Sequence, residues 1–196
     1  MLHISTRGEA PALSFSDALL AGLARDGGLY IPESFPTLGR AEIAGFAGKP
    51  YAQVAERVLG ALTDDDIDAK ALSAMIAQAY ATFRHPAVCP LTQVGDNLFV
   101  LELFHGPTLA FKDVAMQLLG RLMDHVLTLR GARATIVGAT SGDTGGAAID
   151  AFKGLKNVDV FILYPQGRVS DVQRRQMTTV EADNVHAIAI DGTFDD

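Results

Sequence analysis

Tryptophan is absent from this sequence, cysteine occurs once, and no apolar run comes near the ~18 residues that a membrane-spanning helix needs. The lone Cys89 excludes an internal disulfide, which sets aside the disulfide-stapled secreted scaffolds and fits a reducing compartment; it reads as a small buried apolar group. Metal-ligand spacing is also missing. His3, His85, His105, His125 and His186 stand apart, with no His-Glu-x-x-His and no Cys/His cluster, so no metal site is expected. Positive charge is in deficit: 16 Lys and Arg against 23 Asp and Glu give a net charge of -7, which excludes nucleic acid or an anionic membrane as the main partner. A small anionic ligand stays open, because backbone N–H groups and local charge decide such a site. The opening stretch, Met1 to Gly8, lacks the basic and then apolar pattern of a signal peptide, and the expected location is cytoplasmic.

What is present is a globular composition: 196 residues, 48% hydrophobic and 20% charged, enough to bury a core. Residues 1–85 are expected to form a mainly helical N-terminal region. Helical periodicity runs from Phe15 to Leu23 and stops at Asp26-Gly27-Gly28, and Leu29 to Pro32 reads as extended. Positions 39–48 read as loop around a short apolar stretch, while Tyr51–Leu62 and Ile67–Phe83 read as helices. Pro86 and Pro90 mark a boundary, since proline disfavours helix at the residue before it. From 86 to 196 short apolar runs alternate with amphipathic helices: Leu98–Phe104, helix Asp113–Leu129, Ala134–Ala139, helix Thr144–Lys153, Val158–Tyr164, helix Ser170–Ala182 and Val185–Ile190. Leu118, Leu119, Leu122, Met123, Val126 and Leu127 fall on one stripe of the first of these helices. The βαβαβ rhythm predicts an α/β fold, a parallel sheet with covering helices. Asp191 to Asp196 read as the start of a further turn and helix without a layer partner, so the α/β region is expected to be truncated.

Three stretches fall where a parallel sheet places ligands, at strand C-terminal ends and helix N-termini. In Glu102 to Met116, Lys112 is expected just after a strand and at the opening of a helix, behind apolar Leu109, Ala110 and Phe111. The positive end of a helix holds a neutral amine or an imine more readily than an ammonium, which is what a Schiff-base lysine requires. A solvated surface lysine is the competing reading. In Gly138 to Gly146, glycines permit close backbone approach, and freed N–H groups with the helix dipole form an anion cradle; a structural turn competes. This is no Walker loop, because Gly-Lys-Ser/Thr is missing, and no dinucleotide fingerprint. Ser141 is no hydrolase nucleophile elbow, because Ala139 and Asp143 stand where glycines are needed. In Leu163 to Met177, Arg168 and Ser170 are candidates for an anion at a helix start, against Ser170 as a simple N-cap, and no catalytic role is assigned.

The segment around Lys112, with Thr108 and Ala110 ahead of Phe111, resembles the pyridoxal-phosphate attachment site of serine/threonine dehydratase-type enzymes. His105 to Asp113 resembles the threonine synthases in particular. So do Thr6 to Gly8, Asp26 to Pro32, Ser141 to Gly145 and Leu163 to Met177, and the likeness runs along nearly the whole chain as the N-terminal portion of such an enzyme. It implies a fold-type II enzyme, tryptophan synthase β-like, that converts O-phospho-L-homoserine and water to L-threonine and phosphate in threonine biosynthesis, a lyase reaction on a phosphate ester. Lys112 would be the catalytic lysine that holds pyridoxal 5'-phosphate as a Schiff base and moves protons. Ser141, Gly142, Asp143, Thr144 and Gly145 would line the cofactor and hold the substrate carboxylate; related enzymes commonly have asparagine where Asp143 stands. The family's later glycine-rich loop for the cofactor phosphate and its hydroxyl partner for the pyridine nitrogen have no counterpart before Asp196, so this chain alone is expected to be an incomplete, inactive part. The same fold also admits a threonine synthase-like phospho-lyase or an amino-acid dehydratase. A non-catalytic ligand-binding module and a nucleotide-binding domain are the rivals from other classes.

Overall fold

In the computed structural model, which describes residues 1–193, two units are distinguished, Met1–Ala77 and a second beginning at Gln78. In the first, β1 (His3–Ser5) pairs antiparallel with β2 (Tyr30–Pro32), a partner for the expected extended piece that periodicity could not supply. Between them, Ser14 opens α1 (Phe15–Ala21): its hydroxyl accepts from the Asp17 N–H at 3.1 Å. The expected loop at 39–48 contains α2 (Arg40–Ala44), five residues and too short to leave a periodic trace. After α3 (Tyr51–Thr63) and a 3₁₀ turn at Asp64–Asp66, α4 (Ala69–Tyr80) starts at Ala69 because the Asp68 carboxylate accepts from the N–H groups of Lys70 and Ala71 at 3.0 and 2.9 Å. Ile67, Leu72, Met75 and Ile76 are among the buried residues of this helical end.

One expectation is corrected in the second unit. Leu98–Phe104 does not start the parallel sheet. Its strand, β4 (Leu98–Leu101), pairs antiparallel with β3 (Leu91–Gly95) in a separate two-stranded sheet, joined by a turn in which Asn97 takes φ +55°. A turn this tight makes a hairpin, and a hairpin satisfies the strand locally without a crossover helix. The chain then forms α5 (Asp113–Arg130), β5 (Ala134–Ala139), α6 (Asp143–Phe152), β6 (Val158–Pro165), α7 (Asp171–Thr178) and β7 (Val185–Ile190). Here the alternating pattern was legible: β5, β6 and β7 form a parallel sheet in that order, from Ala134 opposite Val158 to Pro165 opposite Ile190. Helix α7 ends at Thr178, short of the expected Ala182. Asp191 to Thr193 form no helix, and the rest of the expected final turn, Phe194 to Asp196, lies outside the described residues.

Helix α6 is the centre of this unit. Gly145, Gly146, Ala147, Ala148, Ile149, Ala151 and Phe152 are all buried, so the helix is enclosed by β6 on one side and by α5 and α7 on others. The stripe on α5 delivers Leu118, Leu122, Val126 and Leu127 to the core, with Leu119 and Met123 half-buried. On β5, Thr135, Val137 and Ala139 are exposed while Ala134, Ile136 and Gly138 are half-buried, so one face of the sheet is covered and the other is open.

Candidate active site

Lys112 is the N-cap of α5, with φ -61° and ψ -26°, and no side chain caps the helix at that point. The segment 102–111 lies between it and the last strand, so the lysine follows a loop and not a strand end. Its side chain is half-buried and lines a cavity of about 470 Å³ with Leu103, Phe111, Val114, Ala115 and Met116. That volume lies within the usual ~300–1,000 Å³ of ligand sites. Lys112 Nζ stands 4.4 Å from the centre of the Phe111 ring, within cation–π range.

The loop ahead of the lysine is wound around a carboxylate. Asp113 Oδ2 accepts from the Thr108 N–H at 2.8 Å and Oδ1 from the Thr108 hydroxyl at 2.7 Å, while Leu109 is in the left-handed region at φ +66°. Burial pushes the Asp113 carboxyl above its ordinary range, against the pull of the Thr108 hydrogen bonds. At the far end of the loop, Glu102 Oε2 meets His105 Nε2 at 2.6 Å and Glu102 Oε1 accepts from the Thr92 hydroxyl at 2.9 Å; these two bonds hold Glu102 below the usual carboxylate range. The His105 ring lies 5.1 Å from His85 and 4.7 Å from Phe104.

The second motif, at the β5–α6 junction, is organised by a residue the sequence reading passed over. Thr140 is 2% exposed, and its hydroxyl accepts from the N–H groups of Gly142 at 3.0 Å and Gly145 at 2.9 Å. Those two N–H groups are therefore used within the loop. Gly145 is a packing position: a Cβ there would stand 2.6 Å from Thr140 Cγ2, 2.7 Å from Met177 Sδ and 2.8 Å from Ile162 Cγ2. Ser141, Asp143 and Thr144 are exposed. The N-cap of α6 is Gly142, which has no side chain, and the first N–H groups of the helix, at Asp143 and Thr144, have no intrahelical acceptor and point to an anion site. Asp143 Oδ1 accepts from Gln173 Nε2 at 2.6 Å, which turns its negative charge toward α7.

Two glutamines of α7 connect the motifs. Ser170 caps α7 in a reciprocal capping box with Gln173, whose side-chain nitrogen then reaches Asp143. Gln176 Nε2 donates to the Thr108 carbonyl at 3.2 Å, in the loop before Lys112, and its side chain lies against Gly146. The Ser-x-x-Gln spacing was a legible signal for the cap; nothing in it announced the reach to Asp143. Arg168, Arg174 and Arg175 are exposed.

Residues 2–80 match the family described as threonine synthase N terminus. Threonine synthase of Pseudomonas aeruginosa is 57% identical over the whole chain, which covers 42% of that protein. The solved structure of pyridoxal-phosphate-bound threonine synthase from Brucella melitensis superposes with a TM-score of 0.96 at 64% identity, over 100% of this chain and 42% of that one. Over its whole length the chain is similar in sequence and fold to part of these threonine synthases. Yeast threonine synthase extends the likeness, with a TM-score of 0.93 at 42% identity over 99% of this chain and 41% of that one. The α/β architecture is thus similar to that of these threonine synthases over the matched part, and the chain spans about two fifths of their length. The Thr6 to Gly8 and Asp26 to Gly28 motifs have a structural role: Asp26 accepts from Ser5, Glu9, Ala10 and Gly28, and the Thr6 hydroxyl accepts from the Leu29 N–H.

Proposed function

We propose that this chain is the N-terminal part of a threonine synthase that converts O-phospho-L-homoserine and water to L-threonine and phosphate, with pyridoxal 5'-phosphate carried on Lys112. The observation that carries this reading is the placement of Lys112 on an apolar cavity at the start of α5. Likeness to a pyridoxal-phosphate-bound threonine synthase supports it. The residues fit such a cofactor: one primary amine borders a cavity of adequate volume, and Gln176 ties its loop to the helix that also reaches the open N-terminus of α6.

When bound, the cofactor supplies an electron sink for negative charge developing on the carbon next to the substrate nitrogen. The work of this chain's own residues follows from their positions. Lys112 Nζ holds the cofactor at rest and, when free, moves protons at the substrate carbons near its amine. Ser141, Gly142, Asp143, Thr144 and Gly145 form the loop that receives the substrate carboxylate. Within it the Asp143 and Thr144 N–H groups and the Ser141 hydroxyl are the donors, while Gly142 and Gly145 hold the loop's shape through Thr140. Gln173 keeps the Asp143 carboxylate from opposing the anion. The remaining part of the enzyme would supply the partners for the cofactor phosphate and ring nitrogen, and the cytoplasm is its place of work. Among the described residues no helix is long and apolar enough to cross a membrane.

Borohydride reduction in the presence of pyridoxal phosphate, followed by peptide mapping, tests the lysine. The expected label is on Lys112, and a label spread over Lys49, Lys70, Lys153 and Lys156 rejects the assignment. Products separate the reactions in a full-length enzyme carrying this sequence: threonine and phosphate from O-phosphohomoserine mark the synthase, and a keto acid from threonine marks a dehydratase.

A further inference from the structure

Asp113 follows Lys112 directly, yet the two residues face different surroundings. Lys112 lines the cavity, and Asp113 is 0% exposed. A carboxylate taken out of water is costly unless donors surround it. Here the donors come from the loop that leads into the lysine: the N–H and hydroxyl of Thr108 and the N–H of Leu109. The fit is close, because a Cβ on Gly106 would overlap the Asp113 carboxylate. Leu109 is held in the left-handed region, a conformation disfavoured for a leucine and kept only where its surroundings impose it. Asp113 also occupies the first position of α5, where the helix dipole favours negative charge.

We propose that Asp113 is a positioning residue for Lys112: its carboxylate locks residues 106–109 onto the first turn of α5 and so fixes where Lys112 Nζ enters the cavity. A plain helix cap would need only one N–H contact inside its own first turn. This carboxylate instead reaches backward to two residues, one of which, Thr108, is gripped a second time through its carbonyl by Gln176 of α7. The lysine lies on the short stretch between these anchors and the helix, so the direction of its side chain depends on them. The proposal rests on Lys112 as the cofactor lysine.

The test uses pyridoxal phosphate as the probe and the other four lysines as internal controls. The chain is exposed to the probe, reduced with borohydride and mapped, and selectivity is the label on Lys112 relative to that on Lys49, Lys70, Lys153 and Lys156. In the unsubstituted chain Lys112 is expected to dominate. Asp113→Asn and Thr108→Val are expected to lower Lys112 labelling about tenfold, since small misplacements of a reacting group are costly, with the other four lysines and the far-ultraviolet circular dichroism unchanged. Thr108→Ser, which keeps the hydroxyl, is expected to restore selectivity, a rescue that general destabilisation would not produce. If Asp113→Asn does not fold, Thr108→Val and Thr108→Ser decide the matter alone. Unchanged Lys112 selectivity in the folded variants overturns the positioning role while leaving the lysine assignment intact. Absence of Lys112 preference in the unsubstituted chain removes the lysine assignment and this proposal with it.

Discussion

Thr140, Glu102 and Asp113 show how much a single side chain decides in this molecule. The Thr140 hydroxyl satisfies two glycine N–H groups at a buried turn, so Thr140→Val leaves both without an acceptor. The expected cost is about 1–3 kcal/mol, read as a lowered urea midpoint, with Thr140→Ser recovering most of it. An unchanged midpoint would show that water replaces the hydroxyl. The two carboxylates respond to pH in opposite senses. Glu102 is held below the ordinary range by His105 and Thr92, so its stabilisation is present above that range and is lost as pH falls through the lowered value. Asp113 is raised by burial, so the fold binds its proton more tightly than the unfolded chain, and stability is lost as pH rises through the raised value. Thermal unfolding between about pH 3 and pH 7 is therefore expected to show a flatter acid limb in Glu102→Gln and a smaller decline toward neutral pH in Asp113→Asn. Slopes that are unchanged, or changed in the reverse sense, reject these assignments.

Between elements, α5 approaches α6 closely. A Cβ on Gly120 would stand 2.5 Å from the Ala151 carbonyl oxygen, 3.2 Å from its carbon and 3.4 Å from Leu155 Cδ1. Two effects compete in Gly120→Ala. Helix propensity favours alanine by ~0.8–1 kcal/mol, and overpacking costs ~1–3 kcal/mol. The contact is with backbone, which cannot swing aside, so overpacking is expected to win and the urea midpoint to fall; a rise would mean the helices separate freely. Along the same face, Gln117 Nε2 donates to Asp150 Oδ2 at 2.7 Å, a polar link between the two helices, and within α5 Arg121 Nη1 donates to the Gln117 carbonyl. The β3–β4 hairpin is built differently, with every residue of both strands exposed. Its apolar side chains Leu91, Val94, Leu98, Phe99, Val100 and Leu101 are 45–63% exposed, an apolar surface that is unusual for a strand pair.

At the scale of the whole molecule, the hairpin is exposed and the parallel sheet has an exposed face on β5. Parallel sheets are ordinarily covered on both faces, and this chain spans 42% of its Pseudomonas relative. On the proposed function, the partners for the cofactor phosphate and ring nitrogen would come from the rest of such an enzyme, and each charge-assisted hydrogen bond they supply would be worth about 1.5–3 kcal/mol. The 196-residue chain, purified and assayed for phosphate and threonine with saturating pyridoxal phosphate and O-phosphohomoserine, is therefore expected to show no turnover and only weak, exchangeable cofactor binding. Robust turnover would show that the site is complete within these residues.

The sequence by itself determined whatever depends on local spacing. The stripe on α5, the apolar runs of β5, β6 and β7 and the glycines at 142 and 145 are short-range patterns, and each element lies where its pattern stands, α5, β5 and β7 starting at the expected residues. The expected α/β fold and the threonine synthase likeness could both be read at this level. Only the tertiary structure decided which strands pair, and it moved Leu98–Leu101 out of the parallel sheet because a two-residue turn at Asp96 and Asn97 closes a hairpin before any crossover can form. It likewise decided how Thr140, Gln173, Gln176 and Asp113 bind the two motifs into one arrangement. The contacts of Gln173 and Gln176 join residues 30 and 68 positions apart, and no local period records a hydrogen bond across such separations.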